Sequence, residues 1–487
     1  MGKATGILEV RRQGMPYRDP ATRIRDWEEI VLLSADEALQ AQASRCMDCA
    51  VPFCQDGSVL GGMTTGCPVY NLIPEWNDLV YHGQWRKAYE RLSLTNPFPE
   101  FTGRACPAPC EAGCVAALVD TPVTIKDIER SIIDRAFQQG WVTAEPPRAR
   151  SGRCVAVIGS GPAGLAAASM LNRWGHAVTV FERADRLGGL LTYGIPKTKL
   201  PQSVVDRRVQ LLRDEGIQFQ IGVEVGRDVL ITDLAGQYDA VLLCSGATVP
   251  RDVSVSGTAL EGVHFAMDYL TGNTKSLLGS GLQDEQFISA NGRDVVIIGG
   301  GDTAVDCITT ALRQGCRSLV QFDIYTQRPD QRGPDNPWPE YPVIHKLEPG
   351  QREAAIRFQR DPRAFSTSAV AFLSETPRQV SHVRSVVLDA QRQAIPGTER
   401  LWKAQLVLLA IGFQGPEPAL FESLGINHDV RVRASDTGAH RYSTPVKGVF
   451  VAGDARRGQS LIVWAIQEGK EAAQACHRYL TGLNRSA

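Results

Sequence analysis

An excess of charge of either sign is missing from this chain: 52 Lys plus Arg stand against 53 Asp plus Glu, a net charge of −1. Nothing in that balance points to nucleic acid or a membrane surface as a partner. Long apolar runs are missing as well. Runs such as 241–244 and 406–411 fall far short of the roughly 20 residues a membrane-spanning helix needs, and read as buried parallel strands. The start, MGKATGILEVRRQG, has no apolar segment of the secretory kind, so disulfides are not expected and a cytoplasmic location is. The residue after Met1 is Gly2, which leaves no N-terminal cysteine nucleophile. A chain of 487 residues with 43% apolar and 22% charged content is expected to be a soluble protein of about three domains.

Cysteine is plentiful and concentrated. Of 12 cysteines, seven fall between Cys46 and Cys114. The first group reads Cys46-x2-Cys49-x4-Cys54 and then Cys67-Pro68; the second reads Cys106-Pro107-x2-Cys110-x3-Cys114. Short uneven spacing with Cys-Pro dipeptides suits cubane iron–sulfur clusters, where one tight loop wraps three corners and a distant residue supplies the fourth. Structural zinc favours paired C-x2-4-C knuckles and fits less well, and redox or structural thiols are the remaining alternative. The other five, Cys154, Cys244, Cys307, Cys316 and Cys476, lie in apolar or helical contexts and read as small core residues.

Around these cysteines, 73–92 and 125–137 place apolar residues at three- and four-residue intervals, a helical pattern. Glu145-Pro-Pro-Arg-Ala-Arg-Ser-Gly152 reads as a linker. Two βαβ units follow. The first has a strand at Cys154–Ile158, the turn Gly159-Ser-Gly161-Pro-Ala163-Gly164, a helix over 165–174 and a strand over 176–181. The second has a strand at Asp294–Ile298, the turn Gly299-Gly-Gly301-Asp302-Thr303-Ala304, a helix to Arg313 and a strand over 317–325. Each reads as a separate dinucleotide site, with glycines for the tight turn, the approach to pyrophosphate and close helix–strand packing. Glu182 closes the first unit, where a carboxylate can take both ribose hydroxyls.

Two further segments assign the first site to a flavin: Arg186-Leu-Gly-Gly189-Leu190, and Val451-Ala-Gly453-Asp454 ahead of an apolar helix beginning near Leu461. Asp454 can accept from a ribityl chain, and the helix can point its N-terminus at the pyrimidine edge; the plain alternative for Asp454 is an N-cap. The second site is then an insertion within the first and takes a nicotinamide donor. Asp323 would favour a free 2′-hydroxyl, whereas Arg328 could pair a 2′-phosphate, so NADH and NADPH both stay open.

These residues carry a resemblance. The chain resembles the small (beta) subunits of bacterial glutamate synthase over essentially its whole length. The strings are Arg45-Cys-Met-Asp-Cys49, Asn71-Leu-Ile-Pro-Glu-Trp76, Phe98-Pro-Glu-Phe-Thr-Gly-Arg104, Ala105-Cys-Pro-Ala-Pro-Cys110, Asp335-Asn-Pro-Trp-Pro-Glu340, and Gly453-Asp454 followed by Arg457-Gly-Gln-Ser460-Leu461. The same module occurs in dihydropyrimidine dehydrogenase and related NAD(P)H-dependent iron–sulfur flavoproteins. The resemblance implies two [4Fe-4S] clusters, one on Cys46, Cys49, Cys54 and Cys114, the other on Cys67, Cys106 and Cys110 with Glu129 as fourth ligand. It implies FAD contacts from Gly161, Gly164, Glu182, Leu190, Lys199, Val225, Asp454 and Leu461, and nicotinamide contacts from Gly301, Asp302 and Thr303. Relatives that use NADPH often carry a basic pair where this chain has Ile324 and Tyr325.

The expected architecture is α/β: a helical [4Fe-4S] domain over 1–150, an FAD domain in two parts over 151–255 and 414–487, and a Rossmann-like NAD(P)H domain over 256–413 nested between them. The expected activity is oxidation of NAD(P)H at FAD, with electrons passed through the clusters to a large (alpha) subunit that makes L-glutamate from L-glutamine and 2-oxoglutarate. Hydride transfer needs no protein acid or base, so no catalytic side chain is expected. One alternative is the same module serving another acceptor, such as ferredoxin, polysulfide or a pyrimidine. A non-enzyme alternative, a scaffold that has lost electron transfer, runs against intact fingers and seven cysteines.

Overall fold

The computed structural model describes residues 2–3, 5–426 and 441–482; within the expected second FAD part, 427–440 and 483–487 lie outside the described residues. Apolar spacing builds a helical layer first. Helices Asp36–Ala43, Ile73–Tyr81, Trp85–Ser93, Pro99–Ala105 and Ile125–Gln138 bury Trp76, Leu92, Phe98, Phe101, Ile128 and Ile132 completely. The helical pattern over 73–92 is two helices and not one. Gly83, at φ +69°, takes a left-handed turn that a β-carbon would oppose, and the chain reverses there.

A five-stranded sheet follows, in the order Val449–Val451, Ala240–Leu243, Cys154–Ile158, Ala177–Glu182, Gln218–Ile221. All its pairings are parallel. Helices Pro162–Arg173 and Ile462–Thr481 pack against each other beside it, and its inner strands are apolar on both faces because both are covered. A second parallel sheet has the order Arg363–Ala364, Ser318–Phe322, Asp294–Ile298, Leu406–Leu409, Val263–Phe265. Its second strand stops at Phe322 and does not run to Tyr325. Beside it lies an antiparallel sheet of Thr367–Leu373, His382–Val387 and Arg400–Lys403.

The strand Val449–Val451 returns to the first sheet after the whole of the second. The chain leaves and re-enters by Val249–Pro250 and Phe413–Gly415, which pair antiparallel. Adjacent exit and entry strands are what allow one folded unit to be inserted in another. The N-terminal segment crosses all three units. Arg23 and Arg313 share the buried carboxylate of Glu353, Ile30 N–H donates to Thr198 O at 2.9 Å, and Arg104 bridges Glu29 and Asp134 at 2.9 and 2.7 Å. No helix among the described residues is long and apolar enough to cross a membrane.

Candidate functional site

The seven clustered cysteines divide between two small cavities. Cys46, Cys49, Cys54 and Cys114 line one, together with Asn77. Cys67, Cys106, Cys110 and Glu129 line the other, with Asn71 and Lys126. These are the two ligand sets that the resemblance implies. The loops that shape them rest on left-handed residues other than glycine: Asp48, Tyr70 and Ala108, at φ +49°, +55° and +57°. Such a residue costs on the order of 1–2 kcal/mol, and each lies within three residues of a cysteine. The return is backbone N–H groups turned toward sulfur: Ala108 N–H donates to Cys106 Sγ at 3.4 Å, and Asp48 N–H faces Cys46. At Gly66 a β-carbon would come within 1.7 Å of Asp56 O, so that loop closes only on glycine.

The electrostatics of the cavities call for positive charge. Burial pushes Cys46, Cys67 and Cys106 up to about 12, aided by the Cys114 and Cys49 thiols at Cys46 and by the Glu129 carboxylate at Cys67 and Cys106; at Cys46 the Asp48 N–H and the Asn77 amide pull the other way. Thiols this reluctant to ionise become thiolates only when metal charge is present. Glu129 is pushed up to about 7 by burial. Its Oε1 accepts from Thr102 Oγ1 at 2.7 Å, Asn96 Nδ2 at 2.8 Å and Asn71 Nδ2 at 3.5 Å, so Oε2 is the oxygen available to a ligand in the cavity. No group of three or more His, Cys, Asp or Glu among the described residues is placed to hold a metal ion. A tetrahedral zinc would need its four ligands drawn in on one point, whereas a quartet set around a cavity suits ligands at separate corners of a cube. The residues fit the cluster better than the ion.

The first finger closes only on glycine. Gly159 has φ +101°, and a β-carbon on Gly164 would sit 1.9 Å from Gly159 O. Nothing stands within 4 Å of the corresponding point at Gly161. Ala163 packs on the C-terminal helix, with its carbonyl oxygen 2.2 Å from where a β-carbon of Gly469 would be. Glu182 is engaged within the protein: Oε2 accepts from Ser160 N and Oγ at 3.0 and 2.6 Å, and Oε1 from Ala184 N at 2.9 Å. Ser160 Oγ also accepts from Gly188 N–H at 2.9 Å, which ties the finger to the Gly188–Gly189 turn. Asp454 is pushed up to about 6 by burial and accepts from Ser460 Oγ at 2.8 Å. It follows Gly453, at φ +71°, as the first residue of the short helix Asp454–Arg457, and does not cap the long one. The helix Ile462–Thr481 begins after Leu461 with no side-chain cap.

A cavity of about 1440 Å³ lies between the second finger, the loop that ends at Leu461 and the cysteine loops. From the flavin unit it takes Lys199, Ser460 and Leu461; from the second finger Gly301 and Asp302; and from the cysteine loops Cys106 and Lys126. Gly159, Glu182, Leu190, Val225 and Asp454 do not line it. Both donor-discriminating candidates do. Asp323 lies against Gly300, where a β-carbon would meet its carboxylate at 2.8 Å, and Tyr325 N–H donates to its Oδ1 at 3.0 Å. The Arg328 guanidinium stands over the Tyr325 ring at 4.7 Å. Gly299 is held at φ +139° against Ala410 O, and Ala304 is fully buried in the helix Asp302–Arg313. Sequence reading passed over Asp306 and Lys126. Asp306, pushed up to about 7 by burial, meets Lys199 across the unit boundary at 3.9 Å. Lys126 lines both the large cavity and that of the second quartet; its only signal was a position one turn before Glu129.

Two known families match parts of the chain. Residues 153–469 match the pyridine nucleotide-disulphide oxidoreductase family, and residues 23–141 match the family described as dihydropyrimidine dehydrogenase domain II, 4Fe-4S cluster. The chain is 50% identical over 490 residues to the glutamate synthase [NADPH] small chain of Bacillus subtilis, covering 99% of each chain. It is 45% identical to glutamate synthase [NADH] of Schizosaccharomyces pombe, where 97% of this chain matches 22% of that protein. Among solved structures, FprA from Mycobacterium tuberculosis aligns with a TM-score of 0.52 at 19% identity, over 70% of this chain and 86% of that one; the likeness is one of fold.

Proposed function

The chain belongs to the family of glutamate synthase small chains, and from that premise we propose that it is the subunit through which reducing equivalents enter the enzyme. It oxidises a nicotinamide dinucleotide and hands electrons to a large chain that makes L-glutamate from L-glutamine and 2-oxoglutarate. The fungal relatives, of which this chain matches 22%, support a large-chain partner. The observation that carries the reading is the double placement of Cys106. It lines the large cavity bounded by the second finger, Lys199 and Ser460–Leu461, and also the cavity of the second quartet, so that quartet adjoins the space where the donor would meet the flavin.

When bound, FAD accepts hydride and the [4Fe-4S] clusters relay single electrons. The protein's part is to bind and orient. The finger at 159–164 with Glu182, Gly189, Leu190, Val225, Gly453 and Asp454 would hold FAD, and Ser460, Leu461 and Lys199 would face the end shared with the donor. Gly299, Gly301, Asp302, Thr303 and Ala304 would seat the donor's pyrophosphate on the helix N-terminus, and Asp323 its ribose. The two quartets would hold one cluster each. The domain boundaries belong to the same proposal, as does a cytoplasmic site of action.

The test is reconstitution. The chain purified without oxygen should contain iron, acid-labile sulfide and FAD and reduce an artificial acceptor with NAD(P)H. It should make no glutamate from glutamine and 2-oxoglutarate until a large chain is added. Glutamine-dependent glutamate formation by the rigorously purified chain alone would overturn the reading.

A further inference from the structure

The cavity of the first quartet contains a polar side chain that no protein oxygen or nitrogen satisfies. Asn77 lies on the helix Ile73–Tyr81 and is completely buried, yet neither Nδ2 nor Oδ1 meets an oxygen or nitrogen partner; the amide stands against the Cys46 thiol. Apart from the four cysteines the wall is apolar, with Ile73, Pro74, Val123 and Ile125 among its residues. An amide buried without a partner costs about 1–3 kcal/mol. The second quartet shows the ordinary state of affairs. There Asn71 and Asn96 both donate to Glu129, Asn71 Oδ1 accepts from Thr95 Oγ1 at 2.8 Å, and Asn96 Oδ1 accepts from Phe98 N–H at 3.0 Å. Of the two cavities it is the first that has an amide left over, and the side-chain acceptors of its other lining residues are sulfurs.

We propose that Asn77 donates its side-chain N–H to sulfur of the first cluster and thereby holds that cluster's reduction potential above the value its four thiolates alone would set. The inference rests on the reading that the first quartet holds a [4Fe-4S] cluster. Reduction adds one electron to an already anionic centre, and an N–H donor stabilises the more negative state, so the donor raises the potential and its removal lowers it. Oδ1 plays no part in this, which separates the loss of the donor from the loss of bulk.

The test uses the full chain purified anaerobically, with iron and acid-labile sulfide counted first and the two cluster potentials then measured by EPR-monitored titration. Asn77→Leu keeps the length and removes the donor. At a fixed poise the reduced-to-oxidised ratio of one cluster should fall about tenfold, which is about 59 mV for a one-electron couple; the other cluster should not move. Asn77→Asp, which adds negative charge, should fall further, and Asn77→Gln, which keeps an N–H, should recover most of the difference. Unchanged potentials in loaded Leu and Asp variants overturn the proposal, as does a Gln variant indistinguishable from Leu. Should Asn77→Leu fail to load iron, the wild type decides. Labelled with 15N at asparagine alone, it must show a nitrogen coupling to a reduced cluster that equally labelled Asn77→Gln lacks, and its absence overturns the proposal. A wild type without iron and sulfide would instead sink the cluster reading itself.

Discussion

Asp323 and Arg328 share a wall of the large cavity but are held differently. The Asp323 carboxylate is fixed against the Gly300 turn by the Tyr325 N–H, while Arg328 is stacked on the Tyr325 ring. A 2′-phosphate brought to that carboxylate would be repelled by about 1–3 kcal/mol in a partly buried site. Asp323→Ser is therefore expected to lower kcat/KM for NADH and raise NADPH relative to it by about tenfold or more. An unchanged ratio of the two kcat/KM values would pass the discrimination to Arg328. A second residue carries a pH dependence. Lys197 is buried, donates to Leu191 O and Gln202 Oε1 at 3.1 Å each, and is pushed down to about 7 by burial. In the unfolded chain it keeps its proton up to about 10.4. Between those values the unfolded state binds more protons, so this group makes stability rise with pH from about 7 upward, and its cost is greatest below 7. Lys197→Met should flatten the rise in Tm between pH 7 and 9; an unaltered slope would show that the ammonium is solvated in the folded state.

At the scale of elements, local chemistry was legible where one segment does one job. The strands Cys154–Ile158 and Asp294–Ile298 and their finger turns could be read directly, because a buried parallel strand must be apolar throughout and the turn must be glycine. The split at Gly83 was not, since one apolar spacing continues across both helices and only the backbone angle breaks it. Nor was the antiparallel sheet of Thr367–Leu373 and its partners, whose mixed faces carry a weaker pattern. The loop 328–347 was legible as a string but not as a contact. Trp338 packs edge-on against Phe53 at 5.0 Å and donates to Cys114 O at 3.3 Å, Thr65 Oγ1 donates to Pro339 O at 2.6 Å, and Tyr341 OH donates to Pro107 O at 3.4 Å. This loop of the nicotinamide unit thus lies on both sets of cysteine loops. An aromatic pair of this kind is worth about 0.5–1.5 kcal/mol beyond its buried area. Trp338→Ala is expected to speed iron loss to a chelator several-fold while FAD content holds, with Trp338→Phe intermediate. Equal iron-release rates in all three proteins would show that the loop does not brace the clusters.

Across the whole molecule, the flavin finger and the first quartet lie in different units that share an apolar core. Polar ties such as Lys470 Nζ to Thr95 O at 2.6 Å and Trp464 Nε1 to Thr64 Oγ1 at 2.9 Å also join the units, while the finger turn and the quartet have no residue in common. Damage at a quartet should therefore leave the entry of hydride intact and stop its onward passage. Cys49→Ser removes a thiolate from the half-exposed corner of the first quartet. Glu129→Ala removes the carboxylate of the second without touching a cysteine and leaves Asn71, Asn96 and Thr102 without their common acceptor. An iron with a missing or poorer ligand is lost or shifted in potential. Ligation also helps to fold the loops that provide it, so each variant needs two measurements on one sample: iron and sulfide per chain, and the rate of FAD reduction by NAD(P)H. The expected outcome is FAD reduction within about twofold of wild type, with a fall of at least tenfold in glutamate formation by the complex with a large chain. Full glutamate formation in Cys49→Ser would place the first cluster off the route. Glu129→Ala with unchanged spectra and potentials would withdraw the carboxylate from the second quartet and leave the three cysteines as the part of that assignment still standing.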